Sequence, residues 1–193
     1  MRYKQIAVGL ISIGLAIMLF SGYTNNRKTS NKTNMEKAYF ASGCFWGTEY
    51  HFMKAKGVVT TTAGYMGGQT FAPTYQEVCT GMTGHVEVVE VVFNPAITSF
   101  EEMLKLYYET HDFEQVGGQG PDIGEQYQSV IFYVDEAQKQ LVERYIRILT
   151  DKGYRVATQL RPAPEFWAAE DYHQDYYQKK NGIPYCHVYK KIF

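Results

Sequence analysis

The sequence predicts an α+β fold, a mixed sheet packed with helices, and three observations lead there. Segments with strand-like and helix-like patterning alternate from residue 38 to residue 182, with no Gly-x-Gly-x-x-Gly turn among them. The clearest strand, residues 85–93, is largely apolar on both faces, so it belongs in the middle of a sheet covered on both sides. Two pairs at capping spacing, Ser99 with Glu102 and Asp135 with Gln138, each open a run whose apolar residues recur at helical intervals.

Taken in order, the short apolar run Ala38-Tyr39-Phe40-Ala41 reads as a strand. Gly43-Cys44-Phe45-Trp46-Gly47 follows and opens residues 45–53, whose apolar positions sit loosely at helical spacing. Residues 58–62 are all β-branched and form a strand, ended by Gly64, Gly67 and Gly68. Residues 74–79 fit either state. The strand at 85–93 stops at Asn94-Pro95, and after Ser99 the residues Phe100, Met103, Leu104 and Tyr107 mark one helical face. Residues 127–134 read as another strand, followed by a helix carrying Ala137, Leu141, Tyr145, Ile148 and Leu149. A strand at 155–160 is broken by Pro162 and Pro164, and a last helix runs from Glu165 to about Asn181-Gly182.

Ahead of this domain, Arg2 and Lys4 precede an apolar run at residues 6–20, and a polar stretch at 21–34 rich in Asn, Thr, Ser and Lys follows. This is the layout of a secretory signal or an amino-terminal membrane anchor. No small-x-small cleavage site stands out at residues 19–23 and no cysteine is available for lipidation, which favours an uncleaved anchor with a polar tether. Arg27, Lys28 and Lys32 rival Arg2 and Lys4 in setting orientation. The basic tail, apolar run and polar tether together place residues 35–193 outside the cytoplasm, in a bacterial-type cell envelope, membrane-anchored or secreted.

At 193 residues, 45% of them hydrophobic, the chain suits one globular domain plus this appendage. Residues 35–193 hold fourteen basic and twenty acidic residues, a formal net of −6, and no basic patch suggests nucleic acid. The seventeen tyrosines read first as aromatic core. Three cysteines, at 44, 79 and 186, are too few and too scattered for a disulfide scaffold, and an odd count leaves one thiol unpaired. Without a Cys-x-x-Cys pair no structural zinc site is expected, and no metal is assigned.

Cys44 is the candidate nucleophile. A cysteine at a helix start faces backbone N–H groups without intrahelical partners and the positive end of the macrodipole. Both favour the thiolate, which is the nucleophile. Flanking glycines clear space around the sulfur, and Phe45 and Trp46 supply an apolar surface beside it. The competing reading is a buried structural cysteine.

Gly-Cys-Phe-Trp-Gly resembles the signature of the A-type peptide methionine sulfoxide reductases. Further stretches match in that family's order: Gly64-Tyr65-Met66-Gly67-Gly68, Pro73-Thr74-Tyr75, Thr83-Gly84-His85-Val86-Glu87, and Gln126-Tyr127 followed by Ser129. The resemblance runs from about Met35 nearly to the end, making residues 35–193 the catalytic domain. It implies a two-layer sandwich, a central mixed β-sheet flanked by helices, and reduction of methionine-S-sulfoxide.

That reaction needs a nucleophile at sulfur and a proton for the departing oxygen. Glu87 lies among valines on its strand, where burial disfavours the charged form and keeps the acid protonated. Glu90 on the same strand is the rival by alternation alone, and the resemblance selects Glu87. It also implies that Tyr75 and Tyr127 hold the sulfoxide oxygen, that Asp122 shapes the pocket, and that Phe45 and Trp46 cup the S-methyl group. Read without the family, Tyr75 and Tyr127 are core tyrosines and Asp122 a turn residue.

Attack leaves Cys44 as a sulfenic acid, which condenses with a second thiol. Cys186, in a loop beyond Gly182, is the expected partner, whereas Cys79 matches a non-catalytic position. A thioredoxin-like protein, or dithiothreitol in vitro, then reopens the disulfide. No bound cofactor is expected, and the chain is expected to act as a monomer. Phe113, Gly117-Gly118 and Gln128 depart from the family pattern around Asp122 and bear on peptide preference. Two other classes compete: a membrane-tethered binding module with an aromatic surface, and a peroxide sensor in which Cys186 resolves Cys44.

Overall fold

The computed structural model describes residues 34–193, so the apolar run at 6–20 lies outside the described residues. The elements in chain order are β1 (Glu36–Ser42), α1 (Phe45–Phe52), β2 (Val58–Met66), α2 (Tyr75–Cys79), β3 (Val86–Phe93), α3 (Phe100–Glu109), β4 (Gly118–Gln119), β5 (Asp122–Ile123), a 3₁₀ turn (Glu125–Tyr127), β6 (Ser129–Tyr133), α4 (Glu136–Asp151), β7 (Gln159–Pro162), β8 (Trp167–Ala168) and α5 (Tyr176–Lys180). Six strands form one sheet in the order β7-β6-β1-β3-β2-β8, and β4 pairs with β5 in a small hairpin. All neighbours in the large sheet are antiparallel except β6 and β7, whose parallel pairing uses α4 as its crossover. The mixed sheet packed with helices expected of an α+β chain is present.

As its two apolar faces require, β3 is an interior strand between β1 and β2. Val89, Val91 and Phe93 point into the main core with Phe52, Leu104, Tyr107, Val142 and Leu149 from α1, α3 and α4. Val86 and Val88 point the other way, into a smaller cluster with Ala41, Met66, Val130 and Phe132 that Ala163 and Phe166 help to cover. Phe40 of β1 locks the helices to the sheet: its ring stacks on Phe52 at 4.8 Å, Tyr107 at 5.2 Å and Phe100 at 5.9 Å. Each such contact adds about 0.5–1.5 kcal/mol beyond area burial.

Local chemistry starts the helices. Ser99 accepts from the Glu102 N–H and Asp135 from the Gln138 N–H, as their spacing predicts. Neither box closes reciprocally, since the Glu102 carboxylate turns to Lys105 and the Gln138 amide bridges Val134 and Lys37. Residues 74–79 resolve as α2 through a complete capping box, Thr74 with Glu77.

The strand expected at 127–134 shortens to β6, with Tyr127 in the 3₁₀ turn before it, and three other boundaries differ further. The strand at 58–62 continues to Met66, because Gly64 lets Phe166 and the Trp167 carbonyl approach, each 2.4 Å from where a Cβ would stand. The strand expected at 155–160 is displaced to β7 and contains Pro162 as its last residue, at the sheet edge where a missing donor is tolerated. The helix expected from Glu165 reduces to α5; the chain ahead of it is drawn onto the sheet, where Ala168 pairs with Gly64 and Trp167 with Tyr65. Gln174 then bonds both backbone groups of Ala63, so long-range pairing replaces helical turns. The predicted stop at Asn181 holds, in a left-handed conformation.

Candidate active site

Cys44 is the N-cap residue of α1, with non-helical dihedrals (φ −56°, ψ 119°) and a carbonyl that accepts from the Gly47 and Thr48 N–H groups. The neighbouring Cys186 thiol and then burial raise the Cys44 pKa, and the backbone N–H groups of Trp46 and Gly47 at the helix start oppose that rise. The flanking glycines do more than clear space. Gly43 adopts φ +92°, and a Cβ there would lie 2.3 Å from the Gln119 side chain. At Gly47 a Cβ would stand 2.2 Å from the His187 ring. Both therefore let other segments pack against the nucleophile's turn.

Glu87 lies on the core-facing side of β3, 1% exposed, and its Oε2 accepts the Phe45 N–H at 3.0 Å. Burial raises its pKa well above the usual carboxylate range; a charge on Cys44 and the Asp122 carboxylate add to this, and the Phe45 bond opposes it. Glu90 points to the opposite face, where it accepts from Lys37 Nζ at 2.8 Å and the Tyr39 hydroxyl at 2.7 Å. The alternation that could not choose between the two is thus resolved by geometry: only Glu87 meets the start of α1.

Cys186 lies beside Cys44. Interaction between the two thiols raises Cys44, with burial adding to the rise, and lowers Cys186. The pair therefore yields its first proton more easily than a lone thiol and its second with more difficulty. Cys186 is 9% exposed, whereas Cys79 is exposed on α2.

Phe45 and Trp46 take different places. Phe45 is 1% exposed and packs into the core against Tyr65 and His173, while Trp46 keeps part of its surface open. Trp46 stacks on Tyr176 at 3.6 Å with planes 4° apart, and its indole N–H donates to His173 Nδ1 at 3.0 Å. His173 also packs on Tyr75 at 4.4 Å. Tyr75 donates its backbone N–H to Glu170, whose other oxygen accepts from the Tyr65 hydroxyl. The hydroxyls of Tyr75 and Tyr127 are both raised, by burial first and then by neighbours that include Glu87 in each case, so both remain hydrogen-bond donors. Asp122, on β5, accepts from the Tyr185 hydroxyl at 3.3 Å. The structure therefore brings Cys44, Glu87, Cys186, Trp46, Tyr75, Asp122 and Tyr127 to one end of the sheet, with Phe45 behind them.

Sequence reading missed His173, Glu170, Glu49 and His187. Glu49 is buried on α1 and accepts the Asp175 N–H at 2.8 Å; burial lifts its carboxyl to about 7. These residues carry no periodic signal: Glu170 and His173 fall in a stretch that mixes acidic, polar and aromatic residues. Of the departures near Asp122, Phe113 is buried against Tyr108 and Tyr154, and Gln128 bonds Gln159. Among the described residues no cluster of metal-ligating side chains occurs.

Comparison with known proteins identifies the family. Residues 36–192 match the family model described as peptide methionine sulfoxide reductase. The chain is similar to the peptide methionine sulfoxide reductase MsrA of Sulfolobus acidocaldarius, 46% identical over 153 residues, covering 79% of this chain and 87% of that protein. It is 48% identical to the MsrA of Methanothermobacter thermautotrophicus over 147 residues, covering 75% and 87% of the two chains. Among solved structures, reduced Mxr1 from Saccharomyces cerevisiae superposes with a TM-score of 0.75 at 31% identity, covering 81% of this chain and 93% of Mxr1. Methionine sulfoxide reductase A of Corynebacterium diphtheriae gives 0.69 at 38% identity, covering 78% and 77%. By sequence and by fold, the chain belongs to the peptide methionine sulfoxide reductase family.

Proposed function

We propose that Cys44, Glu87 and Cys186 carry the family's reaction in this chain, the reduction of methionine-S-sulfoxide in proteins and small molecules to methionine. The observation that carries the reading is the single backbone link between nucleophile and acid: Glu87 accepts the N–H of the residue next to Cys44. The Cys44 thiolate attacks the sulfoxide sulfur, and protonated Glu87 gives its proton to the oxygen. Two electrons pass from Cys44 to the substrate sulfur, methionine leaves, and the oxygen remains on Cys44 as sulfenic acid. Tyr75 and Tyr127 donate to the sulfoxide oxygen, Asp122 borders the pocket, and Trp46, backed by Phe45, receives the S-methyl group. Cys186 condenses with the sulfenic acid to a disulfide, which a thioredoxin-like protein reopens. Mxr1 in complex with Trx2 has this fold, with a TM-score of 0.55 at 22% identity.

A peroxide sensor needs the two thiols but neither a protonated Glu87 nor an open indole beside Cys44. Incubating the purified protein with each methionine sulfoxide epimer and dithiothreitol decides between them. Methionine should form from the S-epimer, and no methionine from either epimer would sink the proposal. Residues 6–20 serve as a membrane anchor in this reading, with residues 35–193 outside the cytoplasm. Support for that comes from the amino-terminal sequence; among the described residues no helix is long and apolar enough to cross a membrane.

A further inference from the structure

The loop that carries Cys186 also carries a second inward-facing group. His187 is 2% exposed, and each of its ring nitrogens has a defined partner. Nε2 lies 2.7 Å from the Ser42 carbonyl oxygen, an atom that can only accept, so Nε2 bears the ring proton. Burial holds the imidazole neutral, with its pKa lowered to about 4. Nδ1 is then a bare lone pair, and Cys186 Sγ stands 3.1 Å from it. The close approach depends on Gly47, where any side chain would strike the ring.

We propose that His187 is the general base of the resolving step, accepting the Cys186 thiol proton at Nδ1 while the Ser42 carbonyl fixes its tautomer. This rests on the reaction assigned above. Cys186 S–H transfers its proton to Nδ1, and the electron pair left on sulfur forms the bond to Cys44. The Cys44 S–O bond breaks, and the departing oxygen takes up the proton that His187 accepted and leaves as water. One sulfenic acid and one thiol become one disulfide and one water, with no further reactant.

The test is a single turnover: reduced protein is mixed with one equivalent of methionine-S-sulfoxide without reductant, and methionine and disulfide are measured separately in quenched samples. His187→Gln keeps an amide N–H for Ser42 and has no basic nitrogen. The variant should still deliver its first equivalent of methionine while disulfide formation slows by about 10²-fold, the lower end of general base catalysis. The accumulated sulfenic acid should then be captured by dimedone. Disulfide formation within about 3-fold of wild type in a variant that makes methionine would overturn the proposal, since a general base is worth far more. Failure of the unaltered protein to make methionine would instead strike the reaction itself. A readout independent of the variant's folding is the imidazole ¹⁵N spectrum of the unaltered reduced protein. Protonation at Nε2 alone, with an Nδ1 resonance that shifts when Cys186 is blocked, is expected. A ring protonated at Nδ1 or at both nitrogens overturns the assignment.

Discussion

Glu87→Gln removes one proton and keeps the shape of the side chain. The amide oxygen can still accept the Phe45 N–H, so the start of α1 should not shift. General acid catalysis is typically worth about 10²–10⁴-fold. With Glu87 only 1% exposed, bulk water is a poor substitute donor, so the loss belongs in the upper part of that range. A 10³–10⁴-fold loss corresponds to roughly 4–5.5 kcal/mol of barrier. The quantity to measure is methionine formed in the first turnover, across pH. In the wild type the step should slow as pH rises through the raised Glu87 pKa, because the acid must be protonated to act. In the variant that dependence should vanish. Stability runs the same way: a carboxyl raised on folding contributes fully below its unfolded pKa, and that contribution is lost as pH rises through the folded value. The glutamine variant escapes that loss, so at pH 8 it should melt no lower than the wild type. A first-turnover rate within about 3-fold of wild type would refute the assignment of a general acid. So would an equal loss in Glu90→Gln, whose carboxylate faces the other side of the sheet.

Cys44→Ser should abolish reduction of the S-epimer in a protein that melts like the wild type; turnover in that variant would remove the nucleophile from the reading. Cys186→Ser should reduce one equivalent of sulfoxide and then stall with a thioredoxin-like donor, while dithiothreitol rescues it in part. Cys79→Ser should be close to silent in the same assays, and mass spectrometry that finds Cys44 joined to Cys79 would overturn the relay. Protease added to intact cells should digest residues 35–193, and a domain protected until the cells are broken would reverse the proposed orientation.

Much of the fold was legible because its signals are local. Ser99 and Asp135 bond N–H groups three residues away, and the valines of β3 record in one segment that both sides of the strand are covered. Where expectation failed, the deciding partner was far along the chain. The helix drawn from Glu165 gave way to β8 because Gly64 and Ala63, a hundred residues earlier, offer backbone and side-chain partners that local propensity cannot register. Pro162 reads as a breaker in isolation and is tolerated because β7 lies on the sheet edge.

The active site divides along the same line. Cys44 announces itself through the turn it occupies, and Glu87 through its strand, although only the backbone of Phe45 separates it from Glu90 as the acid. The residues that hold these groups in place do so across long separations: Tyr75 to Glu170, Trp46 to His173, and Ser42 to His187. None belongs to a pattern with a period, so no window of sequence contains both partners. Gly47 shows the consequence most directly. In sequence it reads as space left for a substrate, whereas in the structure that space is filled by the His187 ring, whose free nitrogen meets the resolving thiol. A side chain at position 47 would therefore leave the sequence's helix intact and displace the ring instead. Gly47→Ala should accordingly reproduce the slow disulfide formation expected of His187→Gln, and a fast-resolving Gly47→Ala protein would show that the ring's position is immaterial.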